Sequence, residues 1–146
     1  MPHDLDLTGA ALTPGAQRSW WLREALAHDA GQPCPPLAGD VNADVVIVGG
    51  GFTGLWTAYW LTERSPNLGV TVLEEDICGG GPSGRNGGFA SGWWDELDGL
   101  VKLYGSDGAV RAAREITHSI AGIEQFCTRH GVDAWFRPGG YVFAAT

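Results

Sequence analysis

Basic residues are scarce in this sequence. Lys and Arg number 9 against 17 Asp and Glu, giving a formal net charge of −8 and an isoelectric point near 4.7. A nucleic-acid backbone or an anionic membrane selects for basic patches, so neither is expected as the main partner. A small anionic ligand held by backbone N–H groups stays open. Cysteine is also sparse: Cys34, Cys78 and Cys127 are far apart, odd in number and without a CxxC pair. That indicates neither a disulfide framework nor a zinc site, and the simple expectation is reduced thiols in the cytoplasm. No apolar run approaches the roughly 20 residues of a transmembrane helix. The opening MPHDLDLTGA lacks the basic-then-apolar order of a secretory signal. There is no internal repeat, no Ser/His/Asp or Cys/His arrangement that stands out, and no Gly-Lys-Ser/Thr to make a Walker A loop.

What the sequence does hold is glycine. Of its 146 residues, 23 are Gly, about twice the usual share. They cluster at positions 49–54 and 79–92, which points to close approach of backbone to something rather than to low complexity. With 44% hydrophobic and 18% charged residues, the chain reads as globular and of a length suited to one domain.

Along the chain, residues 19–30 (SWWLREALAHDA) predict a short helix with Ser19 as N-cap, and the proline-rich residues 31–40 predict a linker. VVIV at 45–48 is an all-apolar strand of the kind buried on both faces of a parallel sheet. A helix is expected from about Thr53 to Arg64, with Leu55, Ala58, Tyr59 and Leu61 at helical spacing, and a second strand from Val70 to Asp76. Strand, helix and strand in this order form a βαβ unit. Residues 78–92 read as loop and 93–105 as a short helix. Residues 106–131 read as an amphipathic helix capped by Ser106 or Asp107 and stopped by Gly131, with an apolar stripe through Val110, Ala113, Ile116, Ile120, Ile123 and Phe126. Residues 132–146 predict strand, Pro-Gly-Gly turn, strand.

Gly49, Gly51 and Gly54 form GxGxxG between the first strand and its helix. The first glycine permits the tight turn, the second admits a pyrophosphate close to the backbone, and the third lets helix pack on strand. The helix N-terminus then offers unpaired N–H groups to phosphates, so Gly50, Phe52 and Thr53 join the candidate site. Glu74 lies 20 residues past Gly54, the place of a ribose-binding carboxylate. A one-residue shift of the strand end would give that role to Glu75. A carboxylate there repels a 2′-phosphate, which disfavours NADP and leaves FAD and NAD.

The second glycine-rich segment separates those two. Ser83, Gly84, Arg85, Asn86, Gly87 and Gly88 spell SGRNGG about ten residues past the glutamate. Together with ADVVIVGGGFTGLWTAYWL, the Trp-containing, proline-rich lead-in and GVDAWFRPGGYVFAAT, this resembles flavoenzymes of the D-amino-acid oxidase (DAO) superfamily. The likeness is especially to the group related to gamma-glutamylputrescine oxidase, and it covers most of residues 19–146. Gly50 stands where the family often has Ala, and Cys78 and Pro82 depart modestly from its common pattern.

The resemblance implies a Rossmann-like FAD/NAD(P)-binding α/β fold, incomplete here. It divides the chain into an extension at 1–43, an FAD-binding region at 44–131 and the first strands of a substrate domain at 132–146. It implies FAD as cofactor, contacted through the SGRNGG loop, and oxidation of an amine or amino acid with imine hydrolysis and peroxide formation. Family members are much longer, so the chain is expected to be the N-terminal part of such an enzyme and inactive alone. A non-enzymatic nucleotide-binding module and an NAD-dependent dehydrogenase fragment are the alternatives. No catalytic residue or metal ligand is assigned. His118 reads as a packed or surface residue, His130 as complementing a helix C-terminus, and Asp95 and Glu96 as acidic residues at a helix N-terminus.

Overall fold

The computed structural model describes residues 18–29, 31, 34–140 and 142. The chain divides into two compact units, residues 1–87 and 88–146.

The first unit opens with helix α1, Trp20–His28. Ser19 caps it as expected: its backbone is extended and its hydroxyl accepts from the Leu22 amide at 3.2 Å. Residues 34–43 run without regular structure up to strand β1, Val45–Val48. Helix α2 covers Phe52–Arg64 and strand β2 covers Val70–Leu73. The strands pair in parallel, with Val45 beside Val70 and Val48 beside Leu73. Both ends of the ladder are tied. At the start, the Asp44 amide donates to the Gly69 carbonyl at 2.9 Å and the Asp44 carboxylate accepts from the Gly69 amide at 2.8 Å. At the far end the Gly49 amide donates to the Leu73 carbonyl at 2.8 Å, so the ladder delivers the glycine turn beside the end of β2. This is the expected βαβ unit.

Two local expectations change. β2 stops at Leu73 instead of reaching Asp76, because the Glu74 carboxylate folds back to accept from the Asp76 amide at 3.1 Å and starts a turn there. Nor is β1 buried on both faces. Ile47 faces the Gly54 side of α2, while Val46 and Val48, pointing the other way, are 53% and 84% exposed. Among the described residues α2 packs on the sheet, and on the face away from it Val46 and Val48 of β1 stay exposed while β2 is partly buried throughout.

In the second unit the two expected helices run together as α3, Leu97–His130. Their junction is Gly105, at φ 70°, ψ 170°, a backbone region open essentially only to glycine. The break therefore falls one residue before the expected cap at Ser106. Trp93 to Glu96 form a turn instead of helix, the Glu96 amide donating to the Trp93 carbonyl at 3.3 Å. Leu100, Ala109 and Ala113 are the buried residues of α3. Gly131 ends it in the left-handed conformation at φ 63°, and the Val132 amide returns to the Cys127 carbonyl at 2.9 Å, the six-to-one bond of a Schellman motif.

Among the described residues after α3, no strand forms. A strand needs a neighbour for its backbone groups, and here the backbone takes a local bond instead: the Asp133 carboxylate accepts from the Trp135 amide at 3.1 Å, with Trp135 at φ 51°. Tyr141 and residues 143–146, where the second expected strand falls, lie outside the described residues, as do Gln32 and Pro33 of the expected linker.

Candidate cofactor site

Each glycine of the turn between β1 and α2 has its own reason to be glycine. Gly49 sits at φ 102°, which a side chain resists. A Cβ on Gly50, which is buried, would lie 2.4 Å from the Cys78 Sγ and 3.1 Å from the Cys78 Cα. The loop after β2 is laid against this turn, and the Gly79 amide donates to the Gly50 carbonyl at 2.9 Å. On Gly51 a Cβ would meet only the Ser83 hydroxyl, at 2.9 Å. On Gly54 it would lie 2.1 Å from the Gly49 carbonyl oxygen and 3.2 Å from the Ile47 Cγ2. The third glycine therefore does what the motif requires of it, bringing helix onto strand.

Helix α2 begins with Gly51 as N-cap, which has no side chain to offer its first amides. One of these donors is taken from across the site: the Phe52 amide donates to the Ser83 Oγ at 2.9 Å. Thr53 stands exposed in the same first turn. Glu74 closes the cradle from the end of β2. Its Oε2 accepts from the buried Gly50 amide at 2.7 Å and its Oε1 from the Asp76 amide at 3.1 Å. These amides, Gly50 first and then Asp76 and Glu75, hold its carboxyl below the ordinary glutamate range. Glu74 rather than Glu75 is thus the carboxylate that reaches the glycine turn, and Glu75 lies exposed beside it.

The SGRNGG segment forms the facing arm. Ser83 and Gly84 belong to a single 3₁₀ turn, Pro82–Gly84. A Cβ on Gly84 would lie 2.0 Å from the Gly79 carbonyl oxygen, so the loop closes tightly on itself. Asn86 donates from Nδ2 to the Ser83 carbonyl at 2.6 Å, which fixes the loop that aims the Ser83 hydroxyl. Arg85 and Gly87 are exposed. The structure therefore brings residues 49–54, Glu74 and Ser83–Asn86 into one assembly within the first unit. Gly88, at φ 77°, belongs to the second unit.

Sequence reasoning missed three contributors. Arg18 pairs with Asp76 through both guanidinium nitrogens, the Nη2–Oδ1 contact being 2.7 Å, and this holds the Asp76 carboxyl below its usual range. Trp21 donates from Nε1 to the Asn86 carbonyl at 2.9 Å. Cys78 packs on Gly50. Pairs separated by 58 and 65 positions leave no local signature.

The remaining candidates take structural places. His118 is 74% exposed and lies 4.0 Å from Glu115. His130 packs against Phe126 at the C-terminal end of α3, with ring centroids 4.6 Å apart. Asp95 and Glu96 immediately precede α3. Trp94 donates from Nε1 to the Thr117 hydroxyl at 3.0 Å. Among the described residues no group of His, Cys, Asp and Glu is placed to hold a metal ion, and no helix is long and apolar enough to cross a membrane.

A βαβ unit with a three-glycine turn closed by a strand-end carboxylate is the arrangement of the Rossmann-like dinucleotide-binding folds. Residues 44–146 match the DAO family, described as FAD dependent oxidoreductase, and the chain belongs to that family. Over 113 residues it is 35% identical to the gamma-glutamylputrescine oxidoreductase of Escherichia coli, covering 77% of this chain and 26% of that protein. It is 35% identical over 109 residues to the probable oxidoreductase OrdL of Rhizobium meliloti, covering 72% and 24%. A shorter stretch of 43 residues, 30% of this chain and 10% of the relative, is 51% identical to the sarcosine oxidase subunit beta of Rhizobium meliloti. The chain thus spans about a quarter of the length of the first two relatives. No solved structure matches it.

Proposed function

We propose that this chain is the FAD-binding N-terminal portion of an enzyme that oxidises the C–N bond of an amine or amino acid. The observation that carries the reading is the Glu74–Gly50 bond at 2.7 Å, which sets the strand-end carboxylate against the glycine turn. The residues fit a dinucleotide. Gly51 leaves its Cα open to a diphosphate except for the Ser83 hydroxyl, and Arg85 is exposed on the facing arm to meet phosphate charge. An ionised carboxylate has about four lone-pair sites, and the three amides that bond Glu74, from Gly50, Asp76 and Glu75, leave room for a ribose hydroxyl to donate. The same negative charge turns away a 2′-phosphate and so disfavours NADP.

Bound FAD would supply a two-electron acceptor for the hydride of the carbon bearing nitrogen, with imine hydrolysis by water and reoxidation by oxygen to hydrogen peroxide completing the balance, and the glycine turn, Glu74 and the Ser83–Asn86 arm would hold it. The part of the work assigned to these residues is binding and orientation. The substrate, an amine or amino acid, is assigned to a second domain that begins in residues 132–146 and continues beyond them. The names of the gamma-glutamylputrescine and sarcosine relatives support that substrate class. The three unpaired cysteines support a reducing compartment such as the cytoplasm.

The test is to purify the complete protein and record its visible spectrum, then to assay a panel of amines and amino acids with a peroxidase-coupled readout. Bound FAD and substrate-dependent peroxide are the expected result. A colourless protein whose nicotinamide fluorescence changes on binding would establish a dehydrogenase instead. Nucleotide binding with no redox change would establish a binding module. The 146-residue chain alone is expected to release no peroxide, because hydride transfer needs a substrate held at roughly 3–3.5 Å from its reacting partner.

A further inference from the structure

Arg18 and helix α1, which follows it, lie outside the family match that begins at residue 44, yet this segment is bonded to both arms of the cofactor cradle. On one arm, Arg18 holds the Asp76 carboxylate through two nitrogens, and the Arg18 side chain is only 6% exposed. The backbone amide of that same Asp76 donates to Glu74 Oε1, and Glu74 Oε2 holds the Gly50 amide. On the other arm, Trp21 Nε1 holds the Asn86 carbonyl, Asn86 Nδ2 holds the Ser83 carbonyl, and Ser83 Oγ takes the Phe52 amide. The approach is close along its length. A Cβ on Gly80 would come within 3.3 Å of Arg18 Nη1, and one on Gly84 within 3.6 Å of Ser19 Oγ. Arg18, Ser19, Trp20 and Trp21 line one side of a groove of about 390 Å³, with Arg85 and Asn86 on the other.

We infer that Arg18 and Trp21 are positioning residues of the cofactor site, fixing the Glu74 turn and the SGRNGG loop from helix α1 and the residue just before its cap, ahead of the Rossmann-like region. Neither side chain need touch the dinucleotide. Arg18 acts through Asp76 and Glu74, and Trp21 acts through Asn86 and Ser83. A bidentate guanidinium–carboxylate pair is well suited to this, because it fixes orientation as well as distance. With the pair intact, the Asp76 amide is aimed at Glu74 before any ligand arrives, which lowers the ordering cost of binding. The inference rests on the FAD reading for its ligand and on the apoprotein geometry for its brace, so the two can fail separately.

The experiment uses the complete protein and the variants Arg18→Ala, Trp21→Phe, Glu74→Ala and the Arg18→Ala/Glu74→Ala double. It reads the FAD Kd by flavin fluorescence, the flavin circular dichroism band, and amide exchange at Gly50 in the apoprotein. Loss of one such hydrogen-bonded contact should raise the Kd about fivefold to tenfold in Arg18→Ala and in Trp21→Phe. The flavin band should shift and Gly50 exchange should speed up in Arg18→Ala. Because Arg18 acts through Glu74, adding Arg18→Ala to Glu74→Ala should cost less than about twofold more. Costs that multiply, or single variants that keep the parent Kd and dichroism, would overturn the inference. Trp21→Phe keeps an aromatic ring while removing the N–H donor, and carries the test if Arg18→Ala fails to fold. If the parent binds no FAD, the cofactor reading falls, and the exchange rate at Gly50 alone decides the brace: no change in Arg18→Ala refutes it.

Discussion

Adding one methyl group at Gly54 is the sharpest perturbation of this fold. The new Cβ would sit 2.1 Å from the Gly49 carbonyl oxygen and 3.2 Å from Ile47 Cγ2. The first contact is roughly 1 Å or more inside the optimum for non-bonded heavy atoms. The obstacle is backbone, and that backbone is anchored, since the Gly49 amide donates to the Leu73 carbonyl at 2.8 Å. Helix α2 must therefore lift from β1. Forced overpacking costs about 1–3 kcal/mol, and the immovable carbonyl puts Gly54→Ala at the upper end. Alanine returns about 1 kcal/mol through its better helix propensity, leaving a net loss near 2 kcal/mol. Urea unfolding of the complete protein, followed by far-ultraviolet circular dichroism, measures it. Gly51→Ala is the comparison: its Cβ meets only the end of the Ser83 side chain, so rotation of that hydroxyl relieves it for about 1 kcal/mol, the scale of one hydrogen bond. If Gly54→Ala unfolds at the parent's urea concentration, α2 does not sit on β1 through this glycine and the cradle geometry is wrong.

Gly51→Val should remain folded and lose flavin, since its branched side chain fills the approach to the turn; full flavin content in the purified variant would move the diphosphate elsewhere. Glu74→Gln should speed amide exchange at Gly50. In the parent, the Glu74 pKa is lowered by folding, so its stabilisation is complete above the unfolded glutamate value and disappears as pH falls through the depressed folded value; the Gly50 protection should follow that acid limb in the parent and be flat with pH in Glu74→Gln. Ser83→Ala leaves the Phe52 amide without its acceptor and should lower stability by about 1 kcal/mol, as loss of a helix cap does, readable in the same urea titration. Gly105→Ala places a side chain at φ 70°, ψ 170° and should cost about 1–3 kcal/mol; an unchanged melting curve would mean that α3 straightens there freely.

The βαβ unit was legible because its determinants are local. An apolar run, three glycines at fixed spacing and a helical repeat each act over a few residues, and the structure places β1 at the four expected positions. The end of β2 was misread because it is set by a bond no pattern announces, the Glu74 carboxylate turning to the Asp76 amide. The strands expected after α3 fail for another reason. Alternation and a Pro-Gly-Gly turn describe what a segment can pair as, but pairing needs a neighbour, and Asp133 captures the Trp135 amide locally instead. The exposure of Val48 is the same lesson in tertiary form: an all-apolar strand is written for two covering layers, and among the described residues one side of β1 stays open. Arg18 and Trp21 were invisible because contacts across 58 and 65 positions depend on the fold already being in place.

The accounting at Glu74 ties fold to cofactor. A carboxylate that only bound ribose would be unconstrained before the ligand came, and its ordering would be charged against affinity. Here the side chain is already held at both oxygens, by Gly50 and by Asp76, while the residue stays exposed. The Gly50 amide is buried and would otherwise go unsatisfied, so the same carboxylate meets a need of the folded chain. Replacing Glu74 therefore removes two things together, a turn that is set in advance and the acceptor proposed for the ribose. Glutamine separates them in part: its single carbonyl oxygen serves one donor set, and its amide donates where the carboxylate accepted. Glu74→Gln should consequently bind FAD more weakly than the parent yet more tightly than Glu74→Ala. Equal Kd values for the two variants would show that charge, and not the fixed turn, governs the site.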